Sequence, residues 1–202
     1  MGFFDKIKSA VGGSEEESTK PEGDNDNTAG AFSAPEGFFN DRVNVKKRTK
    51  IIHTHYDVSR EQAHTIAQKI KERREKEDGG TTDSMRSDLE EKVDVDEELI
   101  HTIVWTEQAS INTMRRVNNY LENGGEDDLY KISTSVNERT HPVTREAYEE
   151  TEHRGGVPMK ELARILIEKA EKYEDEGGTP ERMEHWVPHE RFRFSIVRHV
   201  DY

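Results

Sequence analysis

The longest helical pattern in the chain covers residues 95–123. At about 100° per residue, most of its apolar side chains share one broad face. That face carries Leu99, Ile100, Ile103, Val104, Ile111, Met114, Val117 and Leu121. A second apolar seam, made of Trp105, Ala109 and Tyr120, lies roughly opposite. Because apolar side chains on two sides of a helix need neighbours on both, we expect this helix to be central to the fold or to an oligomer.

Capping signals mark the ends of this helix and of several others. Asp94 or Asp96 can accept the first backbone N–H groups of the central helix, and a glycine pair follows its last turn. Such pairs follow four helical stretches, at positions 79–80, 124–125, 155–156 and 177–178. Left-handed glycine stops are therefore expected at each of these positions.

Two further amphipathic helices and three strands follow from the same patterns. A capping box of Ser59 and Gln62 opens a helix over residues 60–78, and residues 159–176 form another helix with one apolar face. Alternation around β-branched or aromatic residues predicts strands at 43–57, 128–136 and 191–200, of which the first and last could pair. The predicted fold is mainly α, a helical bundle around a long central helix, with short β-strands near 43–56 and 191–200.

The first 42 residues differ in character from the rest. A short amphipathic segment comes first, and residues 14–30 form an acidic, glycine-rich linker. Apolar side chains lie in small clusters on both sides of the linker; they are Phe3, Phe4, Ile7, Phe32, Phe38 and Phe39. This arrangement predicts an extended N-terminal docking arm, residues 1–42, whose apolar anchors insert into a partner. Residues 43–202 are predicted to form the helical domain.

The balance of charge narrows the classes of partner. The 202 residues include 43 acidic and 30 basic side chains, for a net charge of −13. This balance disfavours a nucleic-acid backbone as the main partner, and it also suits adaptation to high salt. The absence of cysteine excludes disulfides, thiolate metal sites and cysteine nucleophiles. No apolar run approaches the ~20 residues of a membrane span, and no signal-peptide pattern is present, so we expect a virion or cytoplasmic location.

Basic residues are concentrated in two places. One cluster lies at positions 46–50, and the other alternates with Phe192 and Phe194 on the last predicted strand. The residues concerned are Lys46, Lys47, Arg48, Lys50, Arg191, Arg193 and Arg198. We expect these residues to attract acidic partner surfaces and to set how the two surfaces align. For the last strand two alternatives stay open, base stacking in a nucleic-acid interface or phenylalanines in the core with arginines facing the acids of a neighbour.

Histidines are the first candidates for a metal site. His53 and His55 would share one face of a strand, and His64 could supply a third ligand. Alternatively, they are histidines paired with carboxylates, or interface contacts that respond to protonation. The sequence lacks HExxH, CxxC, GxSxG and phosphate-binding-loop motifs, so no cofactor and no catalytic residue is expected. Glu107 is expected to be a salt-bridged acid between helices.

The opening MGFFDKIKSAV resembles the first residues of some tailed-virus head proteins, which begin with a similar glycine–aromatic–charged–hydrophobic turn. A mostly helical subunit with an anchoring arm and a terminal strand is also similar to the head-to-tail connector, or adaptor, proteins of such viruses. In those families, helical subunits form a ring on the portal and extended termini reach into neighbours. The resemblance implies a non-catalytic ring subunit, and the acidic composition would suit a halophilic host.

These observations favour a non-enzymatic structural or interaction protein that acts as a subunit of a larger assembly, with a virion head–tail connector as the specific expectation. Its partners would be protein subunits, including copies of itself, with nucleic acid not the main partner. Two other classes stay open. One is a metal-binding protein or metal-dependent enzyme that uses His53, His55 and His64. The other is a nucleic-acid-binding accessory protein that uses the basic cluster at positions 46–48.

Overall fold

The computed structural model describes residues 43–75, 82–125 and 127–200. The α-helices of this part are α1 (Val45–His55), α2 (Arg60–Glu75), α3 (Thr82–Glu90), α4 (Glu97–Asn123), α5 (Pro142–His153) and α6 (Met159–Lys172). It also contains strands β1 (Tyr130–Ser133) and β2 (Ser195–Arg198), and 3₁₀ segments at Glu174–Glu176 and Pro180–His185. The prediction of a mainly α fold around a long central helix is confirmed.

The predicted docking arm, residues 1–42, lies outside the described residues. The same holds for its anchors Phe3, Phe4, Ile7, Phe32, Phe38 and Phe39, and for the glycine pair at positions 79–80. Docking through this arm therefore stays a prediction.

α4 is central because it packs into two core clusters. Ile100 and Ile103, in its first half, belong to a core that also contains residues of α1, α2 and α3. Met114 and Val117, in its second half, belong to a core formed with α5, α6 and the strands. The broad apolar face of α4 thus finds neighbours within one chain along both halves of the helix. Although α4 is 27 residues long, neither it nor any other described helix is apolar enough to cross a membrane.

The strand predicted at residues 43–57 is wrong, because most of this segment forms α1. Asn44 caps the helix, since its side-chain oxygen accepts a hydrogen bond from the Lys47 backbone N–H at 3.0 Å. The buried side chains of α1 recur at helical spacing and are Arg48, Thr49, Ile51 and Ile52. Packing of this face in the core outweighs the strand preference of its β-branched residues.

The predicted pairing of the first and last strands is consequently wrong as well. β2 pairs with β1 in an antiparallel arrangement, with Tyr130 opposite Arg198 and Ser133 opposite Ser195. The strands predicted at 128–136 and 191–200 are confirmed in part, since four residues of each are extended and paired.

The capping signals are confirmed at most helix ends. Ser59 and Gln62 form the reciprocal capping box, with N–O distances of 2.7 and 3.2 Å, and Asp96 caps α4. Left-handed glycines occur at positions 155, 156 and 177. Gly124 is different, because its φ is −84° and α4 ends in extended backbone. Glycine is required there for another reason: a Cβ would lie 2.4 Å from the Tyr120 carbonyl oxygen.

Candidate functional site

A groove with a volume of about 910 Å³ runs along one face of α4. The helix contributes Trp105, Gln108, Ala109, Asn112, Thr113, Arg115, Arg116 and Asn119. Residues 192–196, which lead into β2, form another part of the lining, and Arg73 of α2 and Thr82 of α3 complete it. Between Trp105 and Asn119 the groove follows α4 for about 21 Å, at the usual rise of an α-helix.

This surface is strongly cationic. Its described lining includes four arginines, Arg73, Arg115, Arg116 and Arg193, and contains no aspartate or glutamate. We call it the arginine groove. The contrast with the whole chain is large, because acidic side chains outnumber basic ones by 43 to 30 in the sequence. A concave surface that collects one sign of charge concentrates the field and attracts ligands of the opposite sign.

Local packing fixes part of this lining. Phe192 and Phe194 are buried in the core, so the intervening Arg193 points outward, and its guanidinium lies 4.7 Å from the centre of the Trp105 ring. Arg116 donates a hydrogen bond from Nη1 to the Ile196 carbonyl oxygen at 3.4 Å. The alternative with phenylalanines in the core is therefore confirmed for residues 192 and 194.

Two further features describe individual side chains of the lining. Trp105 Nε1 is buried and makes no hydrogen bond within the described part of the chain. Burial lowers the pKa of the Arg73 guanidinium. Guanidinium groups bind carboxylates and phosphates through paired N–H donors. Carboxylates or phosphates are thus the ligand groups that this lining suits.

A second cavity, of about 540 Å³, shares Arg193 with the arginine groove. In it, His189 stacks on His141 with ring centres 4.1 Å apart, and its Nε2 lies 2.6 Å from the Thr144 hydroxyl oxygen. His189 Nδ1 faces the Glu190 carbonyl oxygen at 2.7 Å, so Nδ1 is the donor and Nε2 accepts from Thr144.

The Thr144–His189 pair has the outline of a hydroxyl nucleophile and its base, but the electrostatics do not suit that role. Burial, and then the nearby His141, lower the pKa of His189 to about 3. A base with so low a pKa is poorly matched to proton abstraction near neutral pH. The contact instead ties the first turn of α5 to the C-terminal segment.

A charged network lies buried between α1, α4 and the 3₁₀ segment Pro180–His185. Arg48 Nη1 bonds Glu107 Oε2, and Arg182 Nη2 donates to Glu107 Oε1 at 2.6 Å. The Tyr56 hydroxyl donates to the same oxygen at 3.2 Å and accepts from Arg182 Nη1 at 2.9 Å. Glu107 is fully buried, so the prediction of a salt-bridged acid between helices is confirmed.

The two arginines keep Glu107 ionised. Burial alone raises its pKa, but charge and hydrogen bonds from Arg48 and Arg182 outweigh this effect and hold the pKa at about 2. Burial, followed by the charge of Glu107, raises the pKa of Tyr56. Burial also lowers the pKa of the neighbouring His55 and His185, the latter to about 3.

The network corrects the basic cluster predicted at positions 46–50. Arg48 is fully buried and belongs to the core, so it cannot meet a partner surface. The error follows from the strand prediction, since on α1 the side chain of Arg48 lies on the same face as Ile51 and Ile52. Lys46 and Lys50 are exposed and Lys47 is partly exposed.

The three arginines predicted on the last strand are separated in the structure. Arg191 bonds Thr102 Oγ1 through Nε at 2.7 Å and pairs with Glu98 at 2.5 Å. Arg198 forms an ion pair with Asp128. Arg193 is the member of the three that lines the arginine groove.

The metal site predicted from the histidines depended on a strand, and the structure has a helix there. On α1, residues two apart lie about 200° apart around the helix, so His53 and His55 do not share a face. His53 Nδ1 contacts the Val58 carbonyl oxygen at 2.9 Å, and His64 Nδ1 lies 3.4 Å from Thr49 Oγ1. Within the described ranges, no three His, Asp or Glu side chains form a group that could hold a metal ion.

Sequence reasoning missed Arg73, Arg115 and Arg116 as members of a site. A signal was present, because the Trp105–Ala109 seam continues along the same side of α4 to Arg116. This seam can be recognised as part of a site only in the tertiary structure, in which Arg193, from near the end of the chain, lies beside it. Comparison with protein-family models, with curated proteins and with solved structures finds no match for this chain.

Proposed function

We propose that this protein is a non-enzymatic interaction subunit that binds an acidic protein segment in the arginine groove. The observation that carries the proposal is a described lining with four arginines and no aspartate or glutamate, on a chain of net charge −13. The net charge of such a chain repels anions at long range. A local cationic groove is therefore a selective place for an acidic ligand to bind.

The size of the groove suits an extended peptide. A length of about 21 Å accommodates about six residues at roughly 3.3 Å each. The exposed Asn112 and Asn119 supply amide groups that can bond a peptide backbone, while the arginines bind its carboxylates. Carboxylates along a peptide would then meet the arginines along the groove.

The larger assembly that we propose is a virion head–tail connector, in which copies of this subunit associate with one another and with neighbouring proteins. Support comes from the resemblance of MGFFDKIKSAV to the start of tailed-virus head proteins and from the mainly helical fold. The N-terminal arm would dock through Phe3, Phe4 and Ile7 and through the phenylalanines at positions 32, 38 and 39. The expected location is the virion or the cytoplasm.

Nucleic acid is the second candidate ligand. Arg193 stacked on Trp105 is an arrangement that can also receive an unpaired base. The net charge of −13 favours the acidic peptide, because long-range repulsion opposes a phosphate backbone.

Fluorescence anisotropy with labelled hexaglutamate tests the ligand class. At low salt the full chain should bind the peptide saturably below millimolar concentration, and the double variant Arg115→Gln/Arg116→Gln should lose at least tenfold in affinity. Lys46→Gln/Lys50→Gln removes the same charge from the exposed face of α1 and should bind as the wild type does. Equal binding by the two double variants would contradict the proposal. Tighter binding of hexathymidylate than of hexaglutamate would replace it by the nucleic-acid function.

Native mass measured by light scattering tests the assembly. A discrete oligomer is expected at low salt, and its persistence at molar salt would assign the contacts to the apolar anchors, because screening weakens only contacts between charged groups. A monomer under both conditions would overturn self-association.

A further inference from the structure

The N-terminal segment of this chain has the chemistry that the arginine groove suits. Residues 14–27 read SEEESTKPEGDNDN and carry six carboxylates against a single lysine. The carboxylates are Glu15, Glu16, Glu17, Glu22, Asp24 and Asp26. With one lysine, their net charge of −5 opposes the four arginines of the groove. The segment contains no aromatic or β-branched residue except Thr19, so charge is its main means of recognition.

The connection between the acidic segment and the domain is long compared with the domain itself. Sixteen residues, or seventeen steps from one Cα to the next, separate Asp26 from Val43, the first described residue, which is anchored in the core. Fully extended, this connection spans at most about 56 Å. A domain of about 158 residues has a radius of gyration of about 15 Å, or roughly 40 Å across. The extended connection is therefore longer than the domain is wide, so the acidic segment can reach much of the surface of its own domain.

Tethering favours this occupant over a free one. A ligand joined to its site by a short connection acts at an effective concentration on the order of millimolar. A second copy of the chain supplies the same segment only at the concentration of the protein. At ordinary concentrations the tethered segment therefore competes best.

We infer that the acidic segment of residues 15–26 occupies the arginine groove of its own chain and is displaced when an acidic partner segment binds. This inference rests on the proposed function, since it assigns the resting occupant of the same groove. The carboxylates lie along the arginines of α4 and Arg193, and the partner competes for these cations. A partner must therefore bind the groove more tightly than the tethered segment does in order to displace it.

Competition with hexaglutamate measures the occupancy. The variant in which the six carboxylates of the segment become amides should bind labelled hexaglutamate at least tenfold more tightly than the wild type does. A matched control neutralises six exposed acids elsewhere, Glu91, Glu149, Glu168, Glu171, Glu174 and Asp175. It has the same net charge and should bind much less tightly than the segment variant. Equal affinity of the two six-fold variants would overturn the inference.

Cross-linking identifies the chain that supplies the segment. The protein has no cysteine, so Glu16→Cys/Asn119→Cys places the only two thiols in the segment and in the groove. Oxidation at low salt should give an intrachain link, seen as a faster-migrating monomer, and molar salt should suppress it. Glu16→Cys/Glu168→Cys, whose second thiol lies on the exposed part of α6 outside the groove lining, should link far less.

The outcomes separate the two proposals. A disulfide-linked dimer would assign the segment to a second copy and overturn the assignment to the same chain. Equal linking of the two cysteine pairs would also overturn it. Failure of hexaglutamate to bind both the wild type and the segment variant would overturn the proposed function itself. Equal binding to wild type and segment variant would overturn only the inference.

Discussion

Removing the negative charge of Glu107, in Glu107→Gln, is expected to lower the free energy of unfolding by about 3 to 5 kcal/mol. The carboxylate is fully buried, and it accepts hydrogen bonds from Arg48, Arg182 and Tyr56. Glutamine is nearly the same size, so the change leaves no cavity. It leaves two guanidinium groups, 0% and 2% exposed, without the charge that compensates them.

The pKa of Glu107 gives an independent magnitude. It is about 2 in the folded protein, against an ordinary value of 4.5, a difference that corresponds to about 3 kcal/mol. Since the folded pKa is depressed, this stabilisation is complete above pH 4.5 and is lost as the pH falls towards 2. In Glu107→Gln the free energy of unfolding should therefore depend less on pH between 4.5 and 2.

Urea unfolding followed by circular dichroism measures the change. With a slope of about 2 kcal/mol per molar urea, the midpoint of Glu107→Gln at pH 7 should fall by about 1.5 to 2.5 M. Glu168→Gln is the matched control, because Glu168 makes an exposed ion pair with Arg164 and should cost less than about 1 kcal/mol. A similar small loss for both variants would refute the reasoning, since it would mean that the buried arginines do not depend on the carboxylate.

Two further predictions concern pH and backbone packing. The pKa of His189 is about 3 in the fold against an ordinary 6.5, so this group by itself should lower the free energy of unfolding as the pH drops below 6.5, by about 2 kcal/mol at pH 5. Urea midpoints at pH 7 and 5 should show a smaller fall for His189→Gln, and an unchanged fall would contradict this. Gly178→Ala would place a Cβ 2.2 Å from the Ala170 carbonyl oxygen, so a loss of about 2 to 3 kcal/mol is expected by thermal unfolding. Gly155→Ala has its nearest neighbour at 3.8 Å and should cost only about 1 kcal/mol, from its left-handed backbone.

Predictions from local sequence signals were reliable for features whose contacts all lie within one short segment of the chain. The capping box at Ser59 and Gln62, the Asp96 cap and the apolar face of α4 were all readable from spacing. They depend on contacts within a few residues of sequence. The prediction failed at residues 43–57, where β-branched residues suggested a strand while the burial of Arg48 and Ile52 required a helix.

The candidate site was predictable only in fragments. Arg193 was singled out because it alternates with phenylalanines, and Trp105 was placed on the second seam of α4. Nothing in the sequence indicated that these two side chains would meet 4.7 Å apart, or that Arg73 would line the same groove. Residues 73, 105 and 193 are brought together by the packing of α2 and the C-terminal segment around α4.

The sequence by itself determined the helical character, the central helix and its caps, and the acidic balance of the chain, because periodicity, capping and charge are local or additive properties. Only the tertiary structure decided the pairing of β2 with β1, the burial of Arg48 against Glu107, and the gathering of four arginines in one groove. The physical reason is that a charged side chain can be buried only where a partner of opposite charge compensates it. For Arg48 that partner is 59 residues away along the chain.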